Sequence, residues 1–492
     1  MEKEYIKIIF GLKLKQIRAE KSLSLLELSK LSGLSKSYLN EIEKGKKYPK
    51  PDKVLTLSEK LGVPYDQLVS LKLDKNLAPV GELLRSRILK EIPLDLFGIQ
   101  ESDLIDIVSN APIKVNTFIS TIIQITKHYN VSRESFFLAS VRSFQEANNN
   151  YFHAIETKVQ QFCKDYHFDI NDIINSDELL EILMKEYHYS INEYSLSDYK
   201  ALVGLRTIFI PKTKMLLLAN DIDEAQRTFI FAKEIAYNYM NIEKRLYTFP
   251  WVKFEIFDEV LNNFYASYFA GALVIPINNL TEKLRVIFKK KKFQKQFFIK
   301  SLESFNASPE TFYRRLTNVL PHAFNIKDLF FLRFSHFKNS KSYELEKELH
   351  LSHYHAPKAN EVHEHYCRRW VSLKSLDNIS LSNKKHEFDI QFSYYPDVKK
   401  KYLVFSSATP DPFTKNKYRS VSIGLLLNKQ LEQKINFLND SNITTREVGV
   451  TCERCSISDC TVRQAPAKII DKHIKDLEIS KIVDELNAKF QR

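Results

Sequence analysis

Three cysteines stand within nine residues near the C-terminal end, Cys452, Cys455 and Cys460, in a C-x2-C-x4-C spacing. Thiolates that close along a loop grip one soft metal centre, and a fourth ligand must then come from elsewhere. Cys367, in HYCRRW, is the natural fourth; Cys163 lies in an amphipathic helical stretch and reads as core. Five histidines also fall within sixteen residues: His350, His353, His355, His363 and His365. Zinc held by mixed Cys and His is therefore a rival to an all-cysteine centre. With only five cysteines in the chain, such crowding argues for metal in a reducing compartment rather than for a disulfide framework.

A second pattern lies at the other end. In SKSYLNEIEKGKK, Ser35 is placed to cap a helix that buries Leu39 and Ile42. Lys36, Ser37 and Asn40 then sit near the N-terminal end of that helix, where base edges and phosphates are met. Lys44, Lys46 and Lys47 trail it as phosphate contacts. Ahead of it, Ser24 caps another helix with Leu25, Leu28 and Leu31 inward, and Gly33 ends it. Residues 1–75 carry fifteen Lys and one Arg against ten acidic residues, a net +6 of the chain's +13. A pI near 9.1 favours polyanionic partners.

These residues need elements to hold them. At about 100 to 200 residues per domain, 492 residues divide into roughly three globular units. Apolar residues at 44% and charged residues at 27%, with few Gly and Pro, exclude low-complexity and collagen-like structure. No run of about 18 apolar residues occurs and MEKEYIKIIFGLK lacks a signal-peptide core, so a cytoplasmic protein without membrane spans is expected. The patterning predicts a multidomain, mainly α chain. A helix-turn-helix bundle spans 1–73 and a helical linker 74–150. An α-rich middle with a small sheet spans 151–325, and an α/β sensory domain 326–470. A C-terminal helix, 471–492, has Ile474, Leu477, Ile482 and Leu486 on or near one face. In the middle, TIFIPKT and MLLLAN read as a hairpin, and AQRTFIFAKEIAYNYM as a helix. The run KLRVIFKKKKFQKQF, with Lys289 to Lys292, reads either as a solvated helix face or as a contact to DNA phosphate or another anion. Farther on, HEFDIQFSY, KYLVFSSA and SVSIGLLL read as strands.

Leu12 to Leu71 resembles the phage-repressor, Xre-like helix-turn-helix family through LSKLSGLSKSYLNEIEKGKKYPKP. Two positions depart from it, Leu25 where the family often has Gln and Ser29 where it has Ala. Residues 151 to about 320 resemble the ImmA/IrrE-type metallopeptidase domain in the order of their elements. That family carries H-E-x-x-H, whose two histidines bind zinc on one helix face while the Glu acts as general base. Here the five positions read Lys233, Glu234, Ile235, Ala236 and Tyr237, and the later acidic ligand is replaced by Asn263 or Tyr265. A cationic Lys repels zinc. The resemblance thus implies a retained scaffold without peptidase activity.

The three blocks together resemble the short-chain fatty acyl transcriptional regulator family, with Cys452, Cys455, Cys460, Arg463 and Pro466 meeting its tail pattern and Cys367 and Trp370 its second pattern. That resemblance implies a regulator of short-chain acyl metabolism that senses an acyl-CoA-type effector, and a 4Fe-4S cluster on Cys367, Cys452, Cys455 and Cys460, with zinc as the alternative. The expected protein is a non-enzymatic, sequence-specific transcription regulator. It would bind double-stranded DNA, as a homodimer if the operator is palindromic, and answer to a small-molecule or redox signal. The alternatives are a helix-turn-helix protein with a working zinc peptidase, and an antitoxin acting on a protein partner.

Overall fold

The computed structural model describes residues 2–71, 133–169, 171–196, 198–202, 204–249, 254, 256–351, 364–382, 384–412 and 414–490. The expected linker 74–150 therefore lies mostly outside the described residues. The chain forms two compact units, Met1–Phe144 and Gln145–Arg492, and the boundary falls inside a helix, Arg133–Ala147.

The first unit opens with five helices: α1 (Glu2–Glu20), α2 (Leu25–Ser32), α3 (Lys36–Glu43), α4 (Pro51–Leu61) and α5 (Tyr65–Val69). Ser24 caps α2 in a full capping box with Glu27, so two otherwise orphaned backbone donors are satisfied reciprocally. Gly33 ends α2 in the left-handed region at φ 72°, a conformation that side chains with a Cβ resist. Ser35 then caps α3, accepting from Tyr38 N at 3.2 Å. Phe10, Leu14, Leu28, Leu39, Ile42, Leu57 and Leu68 meet in one core. Leu31, expected inward, is instead 47% exposed, because the eight residues of α2 give its inward face to Leu28 and Ser32. Arg18 on α1 donates to Glu43 at 2.6 and 2.8 Å, which ties the end of α3 to the first helix.

The second unit continues from α6 (Arg133–Ala147) with α7 (His153–Asp165) and α8 (Ser176–Lys185), then β1 (Ser190–Asn192), β2 (Thr207–Ile210), β3 (Met215–Leu218), α9 (Glu224–Tyr239) and β4 (Thr248–Phe249). Strands β2 and β3 form the expected antiparallel hairpin within a four-stranded sheet of order β1-β3-β2-β4. Helices α10 (Phe257–Val274), α11 (Ile277–Lys289), α12 (Lys295–Glu303) and α13 (Pro309–Phe324) follow. Within this series α9 packs on α10.

The larger sheet comprises β5 (Leu329–Phe337), β6 (Glu344–His350), β7 (Glu387–Tyr395), β8 (Lys400–Pro410), β9 (Lys417–Leu426) and β10 (Thr445–Glu447), in the order β10-β7-β8-β9-β5-β6. Pairing is antiparallel except between β10 and β7. On one face Phe330, Leu332, Phe334, Tyr402 and Val404 pack against Trp370 and α14 (Val371–Leu381). On the other face lies α13, whose Tyr313 hydroxyl meets Ser407 Oγ at 3.1 Å. Short helix α15 (Lys429–Glu432) precedes β10, and α16 (Lys468–Phe490) ends the described chain. Ile474, Leu477, Ile482 and Leu486 on α16 are each about half exposed. At 100° per residue their directions spread over about 180°, so they do not form one narrow apolar stripe. No single helix among the described residues is long and apolar enough to cross a membrane.

Candidate functional site

In the first unit, α3 presents Lys36 and Ser37 to solvent, with Asn40 half-buried beside them. Leu39 and Ile42 are completely buried on the opposite side, as a recognition helix anchored by its apolar face requires. Lys44 closes the helix as its C-cap. Lys46 is exposed, and so is Lys47, which is held to Glu41 at 2.8 Å and lies 5.9 Å from the Tyr38 ring centre. An exposed pair of this kind is weak and leaves Lys47 able to exchange its partner for a phosphate.

In the second unit, Lys233, Glu234 and Tyr237 on α9 are all buried. The three positions that match metal ligands in the peptidase family do come together, through Asn263 rather than Tyr265. Lys233 Nζ donates to Asn263 Oδ1 at 2.6 Å and the Tyr237 hydroxyl to the same oxygen at 3.3 Å. Burial pushes the Lys233 ammonium down to about 7, against the pull of Glu234. Glu234 is engaged elsewhere: Arg245 reaches both of its oxygens at 2.7 Å, and the Tyr189 hydroxyl donates to it at 3.0 Å. The Arg245 guanidinium is sandwiched between the Tyr237 ring, 3.9 Å away, and the Phe209 ring, 4.4 Å away. A carboxylate whose two oxygens both accept from one arginine nitrogen has its basic oxygens occupied. Arg245 and Tyr189 escaped sequence reading because they lie outside the five-residue motif.

Lys233 also feels the charges of Lys347 and Arg314, which belong to a larger cationic group under the C-terminal sheet. Arg314 on α13, Arg333 on β5, Lys347 on β6, Lys417 and Arg419 on β9, and Arg206 ahead of β2 surround Glu310, Glu346 and Asp411. Arg333 and Lys347 each reach Glu310 at 2.6 Å, Lys417 reaches Glu346 at 2.8 Å, and Arg419 pairs with Asp411. Six cations face three carboxylates there. Burial pushes Lys347 down to about 7, yet 41% of its side chain is exposed. Arg333, set within the apolar run LFFLRFSHF, was the one sign of this group in the sequence.

The four cysteines expected to share a centre line one cavity, together with Arg368, Thr451, Val462 and Arg463. Two chain segments are stitched antiparallel to build it. Tyr366 bridges Thr451, the Cys367 N–H donates to Val450 O at 3.2 Å, and the Cys452 N–H donates to His365 O at 2.8 Å. Trp370 Nε1 donates to Gly449 O at 2.9 Å. A Cβ at Gly449 would lie 2.7 Å from Cys455 Sγ, so only glycine lets the thiol sit there. Arg463 donates to the carbonyls of Cys452 at 2.7 Å, Cys455 at 3.2 Å and Ile457, which fixes the curl of the loop. Burial pushes the Cys367 thiol up to about 11, partly offset by the N–H groups of Arg369 and Gly449. Burial also raises Cys455, offset by the N–H of Ile457 and the charge of Arg463. Cys452 Sγ accepts from Gln464 N at 3.3 Å.

Among the described residues, however, no three His, Cys, Asp or Glu side chains are placed to hold a metal ion. His365 is committed to Glu453 at 2.7 Å, and His350 to Glu348 at 3.3 Å. Neither lines the cavity. His353, His355 and His363 lie outside the described residues. Cys163 is buried in α7, as its helical context suggests.

A helix-turn-helix family model matches residues 14–68. The first unit thus carries a helix-turn-helix DNA-binding domain of the Xre type, with α2 and α3 as its motif. Among solved structures, a Mycobacterium tuberculosis transcriptional regulator superposes with a TM-score of 0.48 at 17% identity, over 66% of this chain and 93% of that one. No curated protein matches the chain.

Proposed function

We propose that the protein is a DNA-binding transcription regulator whose second unit senses an effector and carries no peptidase activity. The observation that carries the reading is α3, capped by Ser35 and buried through Leu39 and Ile42, with Lys36, Ser37, Asn40, Lys46 and Lys47 left to meet DNA. Binding as a homodimer to palindromic half-sites belongs to the same reading. The test is fluorescence anisotropy on operator-like and unrelated duplexes. Ser37→Ala with Asn40→Ala shifts sequence preference. Lys46→Ala with Lys47→Ala weakens binding to every duplex and lowers the salt slope by roughly 0.9 for each phosphate no longer neutralised. Unchanged binding in both double variants overturns it.

The effector reading rests on the cationic cluster around Glu310, Glu346 and Asp411. Three positive charges in excess, next to Lys233, suit a ligand bearing several phosphates, and an acyl-CoA of short-chain metabolism is such a ligand. Propionyl-CoA is expected to raise the melting temperature of the full chain, and Arg314→Ala is expected to remove that shift. A melting temperature indifferent to the thioester counts against it. The absence of peptidase activity rests on Glu234, whose oxygens are held by Arg245.

A 4Fe-4S cluster on the four cysteines is the proposed occupant of this site, with zinc as the alternative. Zinc–sulfur bonds of about 2.3 Å require four sulfurs to meet at one point, whereas a cuboidal 4Fe-4S cluster stands between its cysteines. Cys367, Cys452, Cys455 and Cys460 would hold it. Backbone N–H groups aimed at Cys367, Cys452 and Cys455 would stabilise the charged sulfurs and set the potential. When bound, the cluster supplies one-electron redox chemistry or sensitivity to oxygen. Protein purified anaerobically is expected to be brown and to contain iron; a colourless protein holding tight zinc favours the mixed-ligand alternative.

A further inference from the structure

Residues 283–302 contain eight Lys and Arg and no Asp or Glu. Arg285 and Lys289 lie exposed on the outward side of α11, followed by exposed Lys290, Lys291, Lys292 and Lys295. A helix C-terminus is stabilised by one or two cations, so this number exceeds what capping α11 needs. The turn that displays them is pinned at both ends. Asn436 Nδ2 donates to Lys289 O at 3.1 Å, and Phe293 N donates to Asp440 Oδ2 at 2.8 Å. The Phe293 ring packs 5.2 Å from Phe437 and 5.8 Å from Phe405. No carboxylate of the described residues forms an ion pair with Lys289, Lys290, Lys291 or Lys292. Asp440 feels Lys292, but its oxygens already accept the N–H groups of Phe293 and Asn442.

Crowded like charges on a fixed turn repel one another, and a polyanion relieves that repulsion by giving up its own counterions. We propose that this turn is a second, sequence-independent contact to duplex DNA, made through the phosphate backbone. DNA is favoured over other polyanions because the same chain carries the helix-turn-helix domain. Once that domain is bound, it keeps duplex at high effective concentration around the rest of the chain.

The test uses the full chain and two duplexes, one preferred by the head and one unrelated, with dissociation constants measured over a range of salt. Lys289→Gln, Lys290→Gln, Lys291→Gln and Lys292→Gln together are expected to flatten the slope of log Kd against log salt by roughly 0.9 for each phosphate no longer neutralised, up to about 3.6 for all four. The same four positions changed to Arg are expected to keep the parent slope, which separates charge from damage to the fold. In a head variant lacking Ser37, Asn40, Lys46 and Lys47 side chains through substitution to Ala, residual binding to unrelated duplex is expected to persist, and to vanish when the four Gln changes are added. Equal slopes for the parent and the Gln variant overturn the proposal. So does a variant that loses binding to phosphatidylglycerol vesicles while keeping its duplex slope, which would assign the turn to an anionic membrane surface.

Discussion

The second unit contains two places where the sequence suggests metal ligands, and the structure treats them oppositely. At α9 the protein has supplied its own cation: Lys233 sits on Asn263, and Arg245 clasps Glu234. At the cysteine loop no carboxylate of the described residues lines the cavity; backbone N–H groups and Arg463 donate hydrogen bonds that shape it, and the thiols line it. A buried carboxylate such as that of Glu234 must find a positive partner or lose its charge. Four thiols lining a cavity carry no such obligation while protonated. The first site therefore needs no further charge, whereas the second is the one at which a metal centre is proposed.

The largest effect is expected from Cys455→Ser. If the cavity holds a cluster, that change removes essentially all iron and visible absorption from anaerobically prepared protein, because an incomplete ligand set no longer retains it. Iron and absorption at parental levels in the variant would show that the cysteines do not share a centre, and the contrast between the two sites would collapse.

At α9, Arg245→Ala strands Glu234 without its partner, and the expected loss is about 3–5 kcal/mol of stability, read from urea midpoints. Glu234→Gln with Arg245→Met removes both charges and is expected to recover most of it. A single variant as stable as the parent would mean that the pair holds nothing together.

Lys233 tests the same site through pH. Its folded-state value near 7 lies below the ordinary lysine value of 10.5, so between those limits the unfolded chain binds more protons than the folded one. Stability should then rise as pH increases from about 7 towards 10.5, and below 7 the cost of the buried ammonium is felt in full. Lys233→Met is expected to flatten that rise. Urea midpoints at several pH values, compared between parent and variant, decide the matter.

In the first unit, Arg18→Ala leaves Glu43 at the end of α3 without its bidentate donor. Arg18 keeps some access to water, so the expected loss is smaller, about 1–3 kcal/mol, with weaker DNA binding because α3 is no longer fixed to α1. Undiminished affinity in this variant would show that packing alone orients the helix.

Much of this was legible in the chain. Ser24, Gly33 and Ser35 carry their signals locally, since caps and a left-handed turn depend on residues within three positions of one another. Strands β7, β8 and β9 and the hairpin of β2 and β3 were visible from short apolar runs bounded by turn residues. Strand β6, ELEKELH, was not, because five of its seven residues are polar and only Leu345 and Leu349 mark its apolar side.

The recognition helix, the substitution of Lys233 and Tyr237 at the motif positions, and the presence of four cysteines outside helix cores follow from the order of residues alone. What those residues meet does not; folding in three dimensions settles it. The partner of Glu234 comes from Arg245, eleven residues on, and that of Lys233 from Asn263 on the next helix. Cys367 joins Cys452 through a bridge between segments more than eighty residues apart. The cationic cluster needs α13, β5, β6 and β9 at once. Local hydrogen bonds are specified by short spacing, whereas charges brought together by sheet pairing and helix packing have no fixed separation along the chain, and so leave no pattern in it to read.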